Sequence, residues 1–515
     1  MSKLPDRSLV EASTKIVDLS RSGLARSVVE LTQNHLGESG VYPLASGRDA
    51  LSARLAMIAA ADLSLDLQYY IWHRDHSGQL LVSYLMAAAE RGVRVRLLLD
   101  DFGSPVGDDR LLLLSQHPNV EVRLFNPLVN RVTRLWGLLW NYSRASRRMH
   151  NKSLTVDNAM TLVGGRNIGD EYFDSGAQVD FADLDILAIG PVVDEVSDGF
   201  DEFWNSDFSY PIQLLSKKRF TARELMAAAD TNRNYRDQYP PDERTCFFLS
   251  LRDVDVDEHL SWYWSRAQVF YDHPDKIISV DGDTQHTLGA QLVDVSNSIS
   301  QELLLVSPYF VPGKRGLKYF RQLRNRGVNI TIITNSLAAT DVGAVHSAYA
   351  KYRKRLLKMG VVLYEARPDM ATARRKAEQK IERRKRRWAF KRKVRSGKSG
   401  YVGSSSRASL HAKAFFIDRQ RTFVGSMNLD PRSILINTEI GVLVDNPVMT
   451  CEAIDDITHE LMDHAFEVRL DKRKKLIWVL QEEGEEVTFH SEPLASIWQR
   501  LGAWLMGLLP LESQL

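Results

Sequence analysis

Two short runs hold the residues best suited to chemistry: His150-Asn151-Lys152 leading to Asp157, and His411-Ala412-Lys413 leading to Asp418. Each is followed by a glycine-containing turn and an asparagine, Gly164-Gly165-Arg166-Asn167 and Gly425-Ser426-Met427-Asn428, and the step from histidine to asparagine is 17 residues in both. One such run fixes few positions and arises readily by chance; two with matching downstream words do not. In extended chain, residues two apart share a face, which places His150 with Lys152 and His411 with Lys413. Asp157 and Asp418 complete the motif and are counted with the catalytic set, but their odd offset turns them to the opposite face, a supporting position.

Two imidazoles, two ammonium groups and the amides of Asn167 and Asn428 suit a phosphodiester. Ammonium and amide donors hold the non-bridging oxygens, while one imidazole attacks phosphorus and the other transfers protons. A carboxylate normally fixes the tautomer of such a histidine. Asp183 in FADLDI and Glu439 in NTEIGV, at similar positions after the two asparagines, are the candidates. No metal or other cofactor is expected. The cluster His73-Arg74-Asp75-His76 lacks a third ligand at sensible spacing, and Asp281-Gly282-Asp283 is only a fragment of a calcium loop. His459 and His464 fall in an amphipathic helical pattern and read as surface or capping residues.

The elements before each motif also repeat. LSLDLQYYIW, a helical stretch ending in Arg-Gly-Val, and the strand VRLLLD are matched by ELLLVSPYFVPG, LKYFRQLRNRGV and NITIITN. A strand, an amphipathic helix and a second strand form a βαβ unit in each case. The fold class is therefore α/β: two homologous sandwich halves with a site at their interface. The expected division is an N-terminal segment (1–40), a first half (41–215), a linker (216–265), a second half (266–475) and a C-terminal hairpin with an amphipathic tail (476–515).

Arg-Gly-Val to histidine spans 59 residues in the first half (Arg91 to His150) and 85 in the second (Arg326 to His411). The excess of 26 matches a basic run, residues 374–398, with 14 Lys or Arg against Glu378 and Glu382. That local net charge of +12 within a whole of +2 leaves −10 for the rest, so an acidic body carries one basic insert that leads directly into His411. On composition the insert is equally a solvated stretch or a contact for anionic phosphates.

With 44% apolar and 26% charged residues the chain has a globular balance, and its two cysteines, Cys246 and Cys451, fit a reducing compartment. The N-terminus does not read as a signal peptide, and no apolar run reaches the length of a spanning helix. Three stretches suit a membrane surface instead: Arg131 to Arg148 with Trp136 and Trp140, the insert with Trp388, and the C-terminal run with Trp498 and Trp504.

The paired HNKSLTVD…GGRN and HAKAFFID…GSMN runs resemble the duplicated signature of the phospholipase D superfamily, over roughly residues 40–470. The words DLQYYIW, ERGVRVRLLLDD, VSPYFVPG and FVGSMNLDPRSILINTEIGV resemble bacterial cardiolipin synthases. The tail EPLASIWQRLGAWLMGLLP is similar to that of their C-type subgroup. The resemblance implies a metal-free transfer through phosphatidyl-histidine, with His150 attacked and His411 as acid and base. It further implies phosphatidylglycerol and a second phospholipid, phosphatidylethanolamine being the candidate donor, as substrates, and a peripheral or monotopic place on the cytoplasmic face of the bacterial inner membrane. The basic insert departs from the family pattern. Three other readings compete: a lipid hydrolase using the same intermediate, a nuclease tracking phosphates with the insert, and a lipid-binding protein with a dead site. The Trp-rich apolar stretches count against the nuclease, and nucleic acid is not expected as a partner; the intact His, Lys and Asn of both halves count against the dead site.

Overall fold

Strands Ser64–Tyr69 and Arg94–Asp100 are buried almost throughout, as expected of parallel strands covered on both faces. Two of their charged residues face each other in register, Asp66 against Arg96, and Arg96 donates to both carboxylate oxygens at 2.7 and 2.8 Å. The second half repeats the unit with Glu302–Val306 parallel to Asn329–Asn335. In both halves the strand after the histidine, Ser153–Val156 or Ala414–Ile417, runs antiparallel beside the first of these strands.

The computed structural model describes residues 4–104, 107–129, 144, 146–175, 179–249, 261–279, 287–368, 407–482 and 485–508. They form a nine-stranded and a ten-stranded sheet with the same central order, and a two-stranded parallel pair, Val179–Ala182 with Arg407–Leu410, that joins the halves. Alternate residues of the strands divide the core. Leu65, Leu67 and Leu154 face the helices of the first half, and Leu303, Leu305 and Phe415 those of the second. Val163, Ile186 and Ala188 meet Leu304, Val306, Phe416 and Val424 in a third core shared between the halves.

Three stretches that flank the expected halves pack with them. Residues of the N-terminal segment belong to the first core, with Leu24 and Val28 buried on helix Gly23–Thr32. The linker stretch carries two helices, Ala222–Gln238 and Glu243–Leu249, and ends in Tyr263–Ser265, a strand of the first sheet. The C-terminal hairpin, Leu476–Glu482 and Glu485–Phe489, extends the second sheet.

Candidate active site

His150 and His411 each lie just before a buried strand and are almost fully enclosed, 9% and 7% exposed. Each is tied by its backbone to the opposite half. His150 N–H donates to the Thr438 carbonyl (2.9 Å) and Thr438 N–H to the Arg148 carbonyl (3.0 Å). The N–H groups of His411 and Ala412 both donate to the Ala182 carbonyl, at 2.7 and 2.9 Å. The next residue after each acceptor is a carboxylate, so the tie delivers it to the imidazole. Nδ1 of His150 is 2.8 Å from Glu439 Oε2, and Nδ1 of His411 is 2.5 Å from Asp183 Oδ2. The pairs are therefore crossed: each histidine leans on the other half's acid. Glycine makes room for this, since a Cβ on Gly165 would run into the Asp183 carboxylate and one on Gly425 into the Ile440 carbonyl.

Lys152 and Lys413 are buried and fold back onto the chain, their Nζ atoms donating to the carbonyls of His150 (2.5 Å) and His411 (2.6 Å). Burial pushes both ammonium groups below their ordinary range, Lys152 furthest. Burial also lowers both imidazoles, His150 to about 4. The charges around them differ. At His150 the Glu439 carboxylate is opposed by Lys152 and Lys413; at His411 Lys413 is opposed by Asp183 and Asp341. Burial thus favours the neutral form of both rings, and a carboxylate at each Nδ1 favours the tautomer that carries its proton there, leaving each Nε2 unpaired with a carboxylate.

The two motif aspartates, counted above with the catalytic set, each hold a cluster of backbone amides. Asp157 accepts from Ser22 Oγ (2.6 Å) and the amides of Asp62, Leu63 and Ser64 (3.0, 2.8 and 2.8 Å). Asp418 accepts from Ser300 Oγ (3.0 Å) and the amides of Ser300, Gln301 and Glu302 (2.9, 2.7 and 2.8 Å). Both have positive φ, as do Asn158 and Arg419 after them, the pattern of a type I′ hairpin turn. They clamp the start of the neighbouring strand to the end of the histidine strand and thereby fix the register between the two. Asp157→Ala strands three amides, two of them buried, and should cost about 3 kcal/mol of stability, read by urea unfolding. Turnover per folded molecule should stay within a few-fold.

Asn167 is buried with its carbonyl accepting from the Ile71 amide (3.1 Å) and its amide donating to the Tyr172 hydroxyl (3.0 Å). One N–H of Asn167 remains for a ligand, while the buried Oδ1 of Asn428 has no protein partner. The sequence reading missed the aromatic walls. Tyr70 lies 5.1 Å from the His150 ring, and Tyr172 and Phe181 lie 5.3 and 5.0 Å from the His411 ring. In the register of the repeat Tyr70 matches Pro308, so the duplication gave no signal for it. Also missed was Glu171, which joins His73 and Asp75 in a cluster of donor atoms within 4.8 Å of one another. Those donors are already engaged: Asp75 caps the Gly78 and Asp170 amides (3.0 and 2.7 Å) and Glu171 pairs with His73 (3.1 Å). His76 turns away to the Tyr235 hydroxyl.

Trp498 and Trp504 lie on helix Ile497–Gly507, 79% and 62% exposed. With Ile497, Leu501, Leu505 and Leu508 they form one apolar stripe, while Ala503 packs on Leu337 and Ala338. No helix among the described residues is long and apolar enough to cross a membrane. Trp136, Trp140, Trp388 and the insert 374–398 fall outside the described residues.

Two duplicated halves that each lend a histidine and lysine, and lean on each other's carboxylate, make this a phospholipase D-type fold and site. Residues 55–204 and 292–464 match the family model described as cardiolipin synthase, PLD-like domain. The chain belongs to that family. It is 40% identical over 493 residues to cardiolipin synthase C of Escherichia coli K12, covering 95% of this chain and 99% of the relative. To cardiolipin synthase B of the same organism it is 24% identical over 401 residues, covering 78% and 75%. The crystal structure of phosphatidylserine synthase from Haemophilus influenzae Rd KW20 shares the fold at 14% identity, with a TM-score of 0.55 and coverage of 95% and 100%.

Proposed function

We propose that the chain makes cardiolipin from phosphatidylglycerol and a second phospholipid, with phosphatidylethanolamine as the candidate donor. The observation that carries the reading is the crossed pairing of His150 with Glu439 and His411 with Asp183. In the first step His150 Nε2 attacks the donor phosphorus. A P–N bond forms, the P–O bond to the headgroup alcohol breaks, and protonated His411 gives that alcohol its proton. In the second step His411 takes the proton of a phosphatidylglycerol hydroxyl, whose oxygen attacks phosphorus and displaces His150. Lys152, Lys413, Asn167 and Asn428 serve as donors to the non-bridging oxygens, where charge accumulates.

The test is a product assay in detergent with labelled phosphatidylglycerol and a defined second phospholipid. Labelled cardiolipin is expected; phosphatidic acid as the sole product would replace transfer by hydrolysis.

The exposed stripe on Ile497–Gly507 supports contact with a membrane surface; the cytoplasmic face is part of the proposal and rests on the resemblance alone. A Trp498→Ala, Trp504→Ala variant should bind vesicles at least about tenfold more weakly, because each ring gives up a large buried apolar area. Deleting 374–398 should weaken binding to anionic vesicles, more at low salt than at high. Vesicle flotation reads both; unchanged flotation would remove the respective contact.

A further inference from the structure

Among the described residues, the outer face of the second sheet is incompletely covered. In the first half helix Gly47–Ala60, with Leu24 and Phe248 from flanking helices, seals the matching face and leaves a void of only about 10 Å³. In the second half the cover is two short helices, Leu288–Gln291 and Val293–Ser298, of which only Leu288 is fully buried. Beneath them lies a cavity of about 560 Å³, within the range of roughly 300–1,000 Å³ usual for ligand sites.

Its floor is hydrocarbon and aromatic, with Leu303, Leu305 and Phe415 from the sheet and Phe320 from helix Gly313–Asn325. Met427 and Leu429 line it while Asn428 between them does not, so this segment separates the cavity from the polar catalytic cleft. Ile434 and Leu435 at the rim are 42% and 46% exposed. Lys314 and Arg315, also at the rim, are exposed in the first turn of a helix that has no acidic residue there. An apolar chamber with a cationic lip fits a molecule with a hydrocarbon tail and an anionic head.

We propose that this cavity is a second lipid site, holding one acyl chain of an anionic phospholipid with its phosphate at Lys314 and Arg315, apart from the histidines. It goes beyond the transfer reading, because binding here requires no reaction.

The experiment is photolabelling of the full chain in neutral detergent with phosphatidylglycerol carrying a diazirine near the end of one acyl chain. Adducts are expected on peptides holding Phe415 or Ile434 and Leu435. Leu292→Trp or Val295→Trp, which fill the chamber from its lid, should lower those adducts several-fold without changing adducts on 497–508. The exposed pair Lys314→Glu, Arg315→Glu, chosen because it does not disturb the core, should lower phosphatidylglycerol labelling about tenfold and spare a neutral diacylglycerol probe. Absence of adducts from these peptides, or adducts indifferent to both sets of variants, would overturn the proposal. Displacement of the label by free fatty acid but not by unlabelled phosphatidylglycerol would overturn the choice of occupant. Cardiolipin formation is scored separately, so its loss with labelling intact bears on the transfer reading alone.

Discussion

Replacing His150 with Ala is expected to lower turnover by roughly 10⁴-fold or more, because it removes the imidazole assigned to form the covalent bond. Replacing His411 with Ala should be comparably damaging with natural donors, but for a different reason that can be separated experimentally. A donor ester with a good leaving group does not need a proton in the first step. With it the His411 variant should accumulate phosphorus-labelled, acid-labile protein that resolves slowly, and the His150 variant should accumulate none. The reverse pattern would exchange the two roles. The acid side of the wild-type kcat/KM profile should follow the same assignment. His150 is held at about 4 by burial, so protonation silences its Nε2 only as pH falls through that value, well below the range of an exposed histidine.

The second large effect concerns the crossed carboxylates. Glu439→Gln and Asp183→Asn keep shape and hydrogen-bond reach while removing the charge that selects the Nδ1–H tautomer. In a serine protease triad the comparable change costs about 10⁴-fold; a loss of roughly 10²- to 10⁴-fold is expected here. Glu439→Gln should slow adduct formation, and Asp183→Asn should slow its resolution. A double-mutant cycle tests the crossing itself. Glu439→Gln should add almost nothing to His150→Ala but compound with His411→Ala. Coupling to the histidine of its own half instead would refute the arrangement.

Much of this site was legible in the sequence because duplication supplied its own control. The His, Lys and Asn positions repeat at equal spacing, and the length difference between halves is enough by itself to isolate the insert. Asp183 and Glu439 could be nominated but not paired. Their distances from the asparagines differ because the first half threads strand Val179–Ala182 between them, and their partners lie 228 and 289 residues away. Pairings at that separation are set by how two sheets dock, which local pattern does not encode. The aspartates of the motif show the opposite case: odd offset correctly turned them from the reacting face, yet gave no hint of the amide clusters they hold. The limits of the segments are hard to read for a simpler reason. Edge strands such as Tyr263–Ser265 are three residues long and carry no periodicity to read.

The backbone ties from His150 to Thr438 and from His411 to Ala182 mean that neither half owns a working set of residues. A duplicated ancestor fused in this way loses the freedom to let one copy decay, since damage to either removes support from both. The same exchange makes the seam between the halves a master switch. A slip there misaligns both imidazoles together while each sheet stays intact, so heat or denaturant would extinguish the enzyme before it unfolds the protein.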